Sequence, residues 1–244
     1  MALSSGVKTL ALASAALAAA LVAVSCASGP AASARAPYYV VFLRPDPARM
    51  PMSTEDRRRI QGAHMANIQK LADEGILAAA GPMGDTRVTI SGIFVLKAAS
   101  ADDARRIAAM DPTVVGRRNT VDEHAWWGPP GIGDAYFSWK KAHPDAKVGM
   151  GVHAFCMVAR GPAWNGGSEP LEDHARYLES LRASGMLAAA GPVGGDPGLV
   201  GIVVFKTSSV VDAKAIMDGD PLVRSGHLTV DYHRWLTADR VLPW

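Results

Sequence analysis

Cysteine is scarce in this chain, with two residues in 244, Cys26 and Cys156. A disulfide framework is therefore excluded, and if Cys26 is removed or modified with an N-terminal leader, no intramolecular bridge can form at all. Cys156 lies inside the apolar run Ala154–Val158, where a free thiol is commonly a small buried hydrophobe. No base or electropositive neighbour stands near it to make a nucleophile. Charge of one sign is lacking too: 25 Lys and Arg against 23 Asp and Glu leave a formal +2. Only Arg57-Arg58-Arg59 cluster, and that run reads as a solvated helix face. A phosphate-tracking surface needs a basic stripe, so nucleic acid is not expected as a partner. Motifs of ready-made chemistry are missing as well. Gly131-Ile-Gly133 lacks the strand–helix setting of a phosphate loop. No serine-centred nucleophile motif, His-x-x-x-His or Cys pair occurs, so neither a metal nor an organic cofactor is expected.

Long apolar runs are absent save one, Thr9 to Val24, which follows Lys8. It is too short and too weakly flanked for a membrane span and reads as a targeting segment. It ends Leu21-Val-Ala-Val-Ser-Cys26, where small residues before a cysteine resemble a bacterial lipobox, with Ala23 at the position usually held by leucine. That resemblance implies a signal peptide over residues 1–25 and a lipidated Cys26 as the first mature residue. Two or more acyl chains hold a protein stably to a bilayer, whereas one does so only marginally. A lipid anchor at Cys26 would place the protein in the bacterial cell envelope. Ala27, rather than Asp, after the cysteine points to the outer membrane. The alternative is a secreted or periplasmic protein cut after a small residue such as Ala27. Residues 26–37 are rich in Ala, Ser and Gly and read as a flexible tether.

What the chain does contain is a duplication. Leu-Ala-Ala-Ala-Gly-Pro occurs at Leu77–Pro82 and again at Leu187–Pro192. His64 stands 17 residues before Gly81, and His174 stands 17 before Gly191. Asp111-Pro112 and Asp220-Pro221 follow the glycines by 30 and 29 residues. Gly92-Ile-Phe-Val-Leu-Lys97 matches Gly201-Ile-Val-Val-Phe-Lys206, and Asp122-Glu-His-Ala-Trp126 matches Asp231-Tyr-His-Arg-Trp235. The first repeat spans 38–127. A breaker-rich linker, 128–148, carries the aromatics Tyr136, Phe137 and Trp139, expected to pack back onto a repeat. The second repeat with a C-terminal tail spans 149–244.

Hydrophobic periodicity predicts the same element order in each repeat. In the first, strands at 38–43, 76–81, 92–97 and 120–127 alternate with helices at 54–74 and from about Ser100 to Met110. Ser53 and Gly75 supply the first helix with a start and a stop. The order βαββαβ is the ferredoxin-like motif, whose helices cover one face of an antiparallel sheet. The open face needs a partner, and two copies can serve each other. The expected fold is α+β: tandem ferredoxin-like repeats forming a pseudo-dimeric α/β sandwich or barrel, with a cleft at each copy. A self-sufficient monomer follows from that arrangement.

His64 shares a helix stripe with Ile60, Ile68 and Leu71, and His174 with Leu171, Leu178 and Leu181. A histidine on a buried stripe needs partners for its ring nitrogens. Asp111 and Asp220, at the ends of the neighbouring second helices, can supply them. A carboxylate would fix the tautomer and raise the histidine pKa, giving a general base near neutrality. The plainer alternative is a buried hydrogen bond joining two helices. Asp-Pro is in any case a good turn after a helix.

The helical histidine, Leu-Ala-Ala-Ala-Gly-Pro on the next strand, Asp-Pro after the second helix and the closing tryptophan together resemble the YciI-like (YCII-related) family. Both repeats match. The resemblance implies the ferredoxin-like fold, which in the family is usually a homodimer, and a His–Asp dyad in a cleft. It implies enzymatic activity on a small molecule; one characterised relative is a dehydrochlorinase of a chlorinated hydroxyquinol. Carried over, the catalytic pairs are His64–Asp111 and His174–Asp220, acting as general acid/base in a lyase or hydrolase. Fusion of two copies and the export signal depart from the family's usual pattern. The rival reading is a non-catalytic small-molecule-binding or structural envelope protein on the same fold.

A second constellation is Asp122, His124 and Trp126 with its match Asp231, His233 and Trp235. Alternation puts each trio on one face of the last strand, where His124, Trp126, His233 and Trp235 could line an inter-repeat cleft. Metal ligation would need three or four converging groups. The plainer alternative is an outward polar face with a tryptophan packed sideways.

Overall fold

The computed structural model describes residues 38–85, 89–165, 171–196 and 198–244. The expected signal peptide, tether and lipidation site at Cys26 lie outside them. In the first repeat β1 (Tyr38–Pro45) is followed by α1 (Thr54–Asp73), β2 (Leu77–Pro82), β3 (Gly92–Leu96), α2 (Ala101–Ala109), α3 (Pro112–Val115) and β4 (Asn119–Trp126). After α4 (Asp134–Ala142) the second repeat runs β5 (Met150–Arg160), α5 (Leu171–Ala183), β6 (Leu187–Gly194), β7 (Leu199–Phe205), α6 (Val210–Met217), α7 (Pro221–Arg224) and β8 (Leu228–Ala238). Serines start the long helices where side-chain capping favours them: Ser53 accepts from Asp56 N, Ser100 from Asp103 N and Ser209 from Asp212 N. Gly75, at φ 71°, ends α1 in the left-handed conformation that glycine tolerates.

Three short helices escape the sequence reading. The Asp-Pro pairs are more than turns: each Asp caps a single helical turn with Pro in its first positions, α3 after Asp111 and α7 after Asp220. Pro is preorganised for that place and loses no hydrogen bond there. The breaker-rich linker holds α4. The fully buried Ile132 anchors it and donates its N–H to Tyr38 Oη at 3.1 Å. Of the linker aromatics, Tyr136 packs against the central core.

Each repeat forms a four-stranded antiparallel sheet, in the order β2-β3-β1-β4 and β6-β7-β5-β8. Alternation along the inner strands divides two cores. Val40, Phe42, Ile93 and Val95 point to the space between the sheets, while Val41, Leu43, Phe94 and Leu96 meet the first repeat's helices. The second repeat splits likewise, with Phe155, Ile202 and Val204 facing inward and Cys156, Val203 and Phe205 facing helices. The strands therefore read as nearly unbroken apolar runs because both faces are covered.

The two sheets join at both edges. At one, β4 pairs with β6 through Ala125–Gly194 and Trp126–Val193. At the other, Met83 pairs with Trp235, and Gly84 N donates to Arg234 O at 2.7 Å. Each seam begins where a copy of the duplicated hexapeptide ends. In both copies the hexapeptide carries a register shift in its pairing, at Leu77/Ala79 and Leu187/Ala189. Its glycines lie where the other repeat crosses: a Cβ on Gly81 would sit 1.7 Å from Leu236 O, and one on Gly191 would sit 2.2 Å from Trp127 O. The result is a pseudo-twofold α/β barrel built within one chain.

Candidate functional site

The helices bring each histidine to the aspartate with which it shares a repeat. His64 Nδ1 lies 2.8 Å from Asp111 Oδ2 and 3.0 Å from Oδ1. His174 Nδ1 lies 2.6 Å from Asp220 Oδ2. Both aspartates are fully buried, yet 14% of the His64 side chain and 8% of that of His174 remain exposed. The described residues offer Nε2 of either ring no hydrogen-bond partner. Among the described residues the fully buried ring nitrogens that make no hydrogen bond are instead His124 Nε2, Trp127 Nε1 and Trp235 Nε1. The two helical histidines are thus half-bonded, held at Nδ1 and open at Nε2. His64 also lies nearly parallel to the Phe94 ring, with centroids 5.9 Å apart.

Each aspartate performs two jobs. Asp111 caps α3 through Thr113 N at 2.9 Å and also accepts the Thr113 hydroxyl at 2.6 Å and the Asn67 amide at 3.0 Å. Asp220 caps α7 through Leu222 N at 2.9 Å. Burial works against charge on Asp111. The bonds from His64 and Thr113 outweigh it and hold the carboxyl below the usual carboxylate range. An ionised Asp111 can only accept, so Nδ1 of His64 is the nitrogen that donates to it, and in the neutral ring the lone pair falls on Nε2. Sequence reasoning misses Asn67 and Thr113. Asn67 is legible in principle, as a polar residue three positions beyond His64 on the same helix face.

Two hollows lie near the first pair, lined by its sequence neighbours and not by His64 or Asp111 themselves. One, about 290 Å³, lies between α1 and α2 and includes Asn67 in its lining. The other, about 320 Å³, is bounded by Ile60, Ala63 and Pro112. Met110 belongs to both.

The last-strand residues lie elsewhere. Trp126 and Trp235 are buried in the packed core between the sheets, not along an open cleft. The inward side of the barrel is filled, so their flat rings serve as core. Trp126 Nε1 donates to Gly191 O at 3.2 Å, across the seam. His124 and His233 are buried as well, and each meets an aspartate from the other repeat. His233 Nδ1 lies 2.6 Å from Asp85, and His124 Nδ1 lies 3.6 Å from Asp196. Their Nε2 atoms face Asp231 at 3.1 Å and Asp122 at 2.9 Å. The His124–Asp122 approach is close enough for an ion pair but lies off the line of a hydrogen bond. Because the two nitrogens of each ring face opposite ways, the carboxylates do not converge on one point. Among the described residues no three His, Cys, Asp or Glu side chains form a metal-holding group. Sequence reasoning misses Asp85 and Asp196 too, although each follows the hexapeptide glycine by four or five residues.

Cys156 is fully buried, and desolvation pushes its thiol up to about 12, so a thiolate nucleophile is not supported there. Among the described residues no helix is long and apolar enough to cross a membrane.

The sequence pattern of the YCII-related domain matches residues 38–120 and 156–235. No curated protein matches the chain. Among solved structures, a mutant chlorite dismutase from Candidatus Nitrospira defluvii has a TM-score of 0.53 at 11% identity, covering 85% of this chain and 93% of that one. A second mutant of that enzyme, in complex with cyanide, has a TM-score of 0.52 at 11% identity, again covering 85% and 93%. At such identity the likeness speaks to the barrel fold alone.

Proposed function

The chain belongs to the YCII-related domain family, and on that premise we propose that it is an envelope enzyme using His64–Asp111 for general acid/base chemistry on a small molecule. The observation that carries this reading is the half-bonded histidine. Asp111 fixes the proton on Nδ1, leaving the Nε2 lone pair to take a proton from a bound molecule. The imidazolium that forms is stabilised by the buried carboxylate 2.8 Å away and can return the proton to a leaving group or intermediate. That sequence suits elimination or hydrolysis of a small, hydroxylated or aromatic compound. Residues 1–25 would direct export and Cys26 would carry the lipid anchor. With both halves of the barrel in one chain, the working unit would be a monomer.

The test compares wild type with His64→Gln on a panel of hydroxylated and chlorinated aromatic compounds, alongside ¹⁵N NMR of the His64 ring. Turnover should fall by roughly 10²–10⁴-fold, and the neutral ring should carry its proton on Nδ1. Unchanged turnover, or a ring protonated on Nε2, overturns the proposal. The rival, a binding or structural role, draws support mainly from the second copy, where the His174 side chain is only 8% exposed.

A further inference from the structure

The two repeats share a fold and a His–Asp pair but differ in the groove beside it. In the first repeat the groove between α1 and α2 is open, about 290 Å³, with Asn67 at one side and Met110 at another. The matching positions in the second repeat are Tyr177 and Gly219. Tyr177 reaches from α5 across to α6 and donates its hydroxyl to Ile216 O, the match of the groove residue Ile107. The exchange at the second position is coupled to it: a Cβ on Gly219 would lie 2.6 Å from the Tyr177 hydroxyl. Tyrosine thus occupies in one copy what is open space in the other, and the facing residue has lost its side chain to admit it. Charge changes with space. Lys70 and Arg106 line the open groove, while their matches are Ser180 and Ala215.

We propose that the copies have divided their roles: the first groove binds a small organic monoanion, a carboxylate on a compact apolar body, and the second is plugged by Tyr177. The open groove has an apolar floor of Leu71, Ile76 and Ile107, and three cations, Lys70, Lys97 and Arg106, against two acids, Glu74 and Asp103. Each cation already has an acidic neighbour. Lys70 stands 3.9 Å from Glu74, Lys97 donates to Asp134 at 3.2 Å, and the exposed Arg106 donates to the half-buried Asp103. The exposed Lys70 and Lys97 pairs contribute little, so turning either lysine towards a ligand carboxylate costs little. Asn67 belongs both to the groove and to the Asp111 hydrogen bonds. A ligand there would sit against the residue that steadies the dyad. His64 itself does not line the groove, so this goes beyond the acid/base reading: it assigns a binding site joined to the dyad through Asn67.

The probe is benzoate, with neutral benzamide as control, titrated into the full chain and followed by NMR. Benzoate should shift the Asn67 side-chain amide and the Ile107 methyl groups, leave Tyr177 and His174 unmoved, and bind at least tenfold more tightly than benzamide. Lys70→Gln with Arg106→Gln should weaken it at least tenfold while leaving the groove open. Asn67→Tyr with Met110→Gly, which copies the plug, should abolish binding; if that variant does not fold, the charge variant still decides. Unmoved groove resonances, equal binding of benzamide, or equal shifts in both repeats overturn the proposal. Binding is read without turnover, so it is independent of the His64→Gln result. Benzoate binding with full activity in His64→Gln would sink the acid/base reading alone, and loss of activity without benzoate binding would sink this one alone.

Discussion

His233, on the last strand of the second repeat, is held at 2.6 Å by Asp85 from the β2–β3 hairpin of the first. The same carboxylate accepts the Arg234 backbone N–H at 2.9 Å, so one side chain ties a hairpin to the strand that closes the barrel. The pseudosymmetric pair, His124 with Asp196, is looser at 3.6 Å. Breaking one partner of a largely buried pair leaves the other uncompensated. Asp85→Ala is therefore expected to cost about 2–3 kcal/mol. Asp196→Ala should cost about 1 kcal/mol or less, its side chain being 30% exposed. Denaturant unfolding of the two variants checks the order; equal losses would show that the close pair is not what secures the seam.

The seams make a second, steric prediction. Gly81 and Gly191 are glycines because the other repeat's backbone passes where a Cβ would be. Gly81→Ala and Gly191→Ala should each cost more than about 3 kcal/mol, since neither seam can shift without breaking strand pairing. At Gly62, within α1, an added methyl group would meet nothing within 4 Å, and Gly62→Ala should stabilise by about 0.5–1 kcal/mol through helix propensity. Thermal unfolding reads all three. A mild effect at Gly81 would mean that the barrel tolerates an open edge.

The repeats, their element order and both His–Asp pairs are legible in the sequence because each rests on local periodicity or fixed spacing. His64 and His174 stand out as polar residues on apolar stripes, and the hexapeptide sets the register. What the sequence does not disclose is long-range or depends on a single turn. The one-turn helices after Asp111 and Asp220 are too short to show a period. The α4 helix follows Gly133, which adopts a left-handed conformation and provides no side-chain cap. Trp126 and Trp235 fall on the expected strands, but alternation cannot tell a cleft from a filled barrel interior. Asp85 and Asp196 find their histidines only across the fusion, some 148 residues away for Asp85.

Acid should loosen the first repeat's last strand through Asp122. The His124 ring lowers its pKa most, burial opposes, and Arg44 at 2.7 Å lowers it further, to about 2 from the usual 3.8. A carboxyl depressed in the folded state stabilises above its unfolded pKa, and that contribution is lost as pH falls through the folded one. The window is therefore about pH 4 down to 2. The full shift would correspond to about 2.5 kcal/mol, but the side chain is 34% exposed, and solvent screening reduces the expected contribution to about 1 kcal/mol. Asp122→Asn should remove that amount at pH 7 and flatten the stability profile between pH 4 and 2. Urea unfolding at a series of pH values measures it directly. A variant whose acid limb stays parallel to wild type would show that Asp122 titrates alike in the folded and unfolded chains. The Arg44–Asp122 pair would then be a contact without consequence for stability.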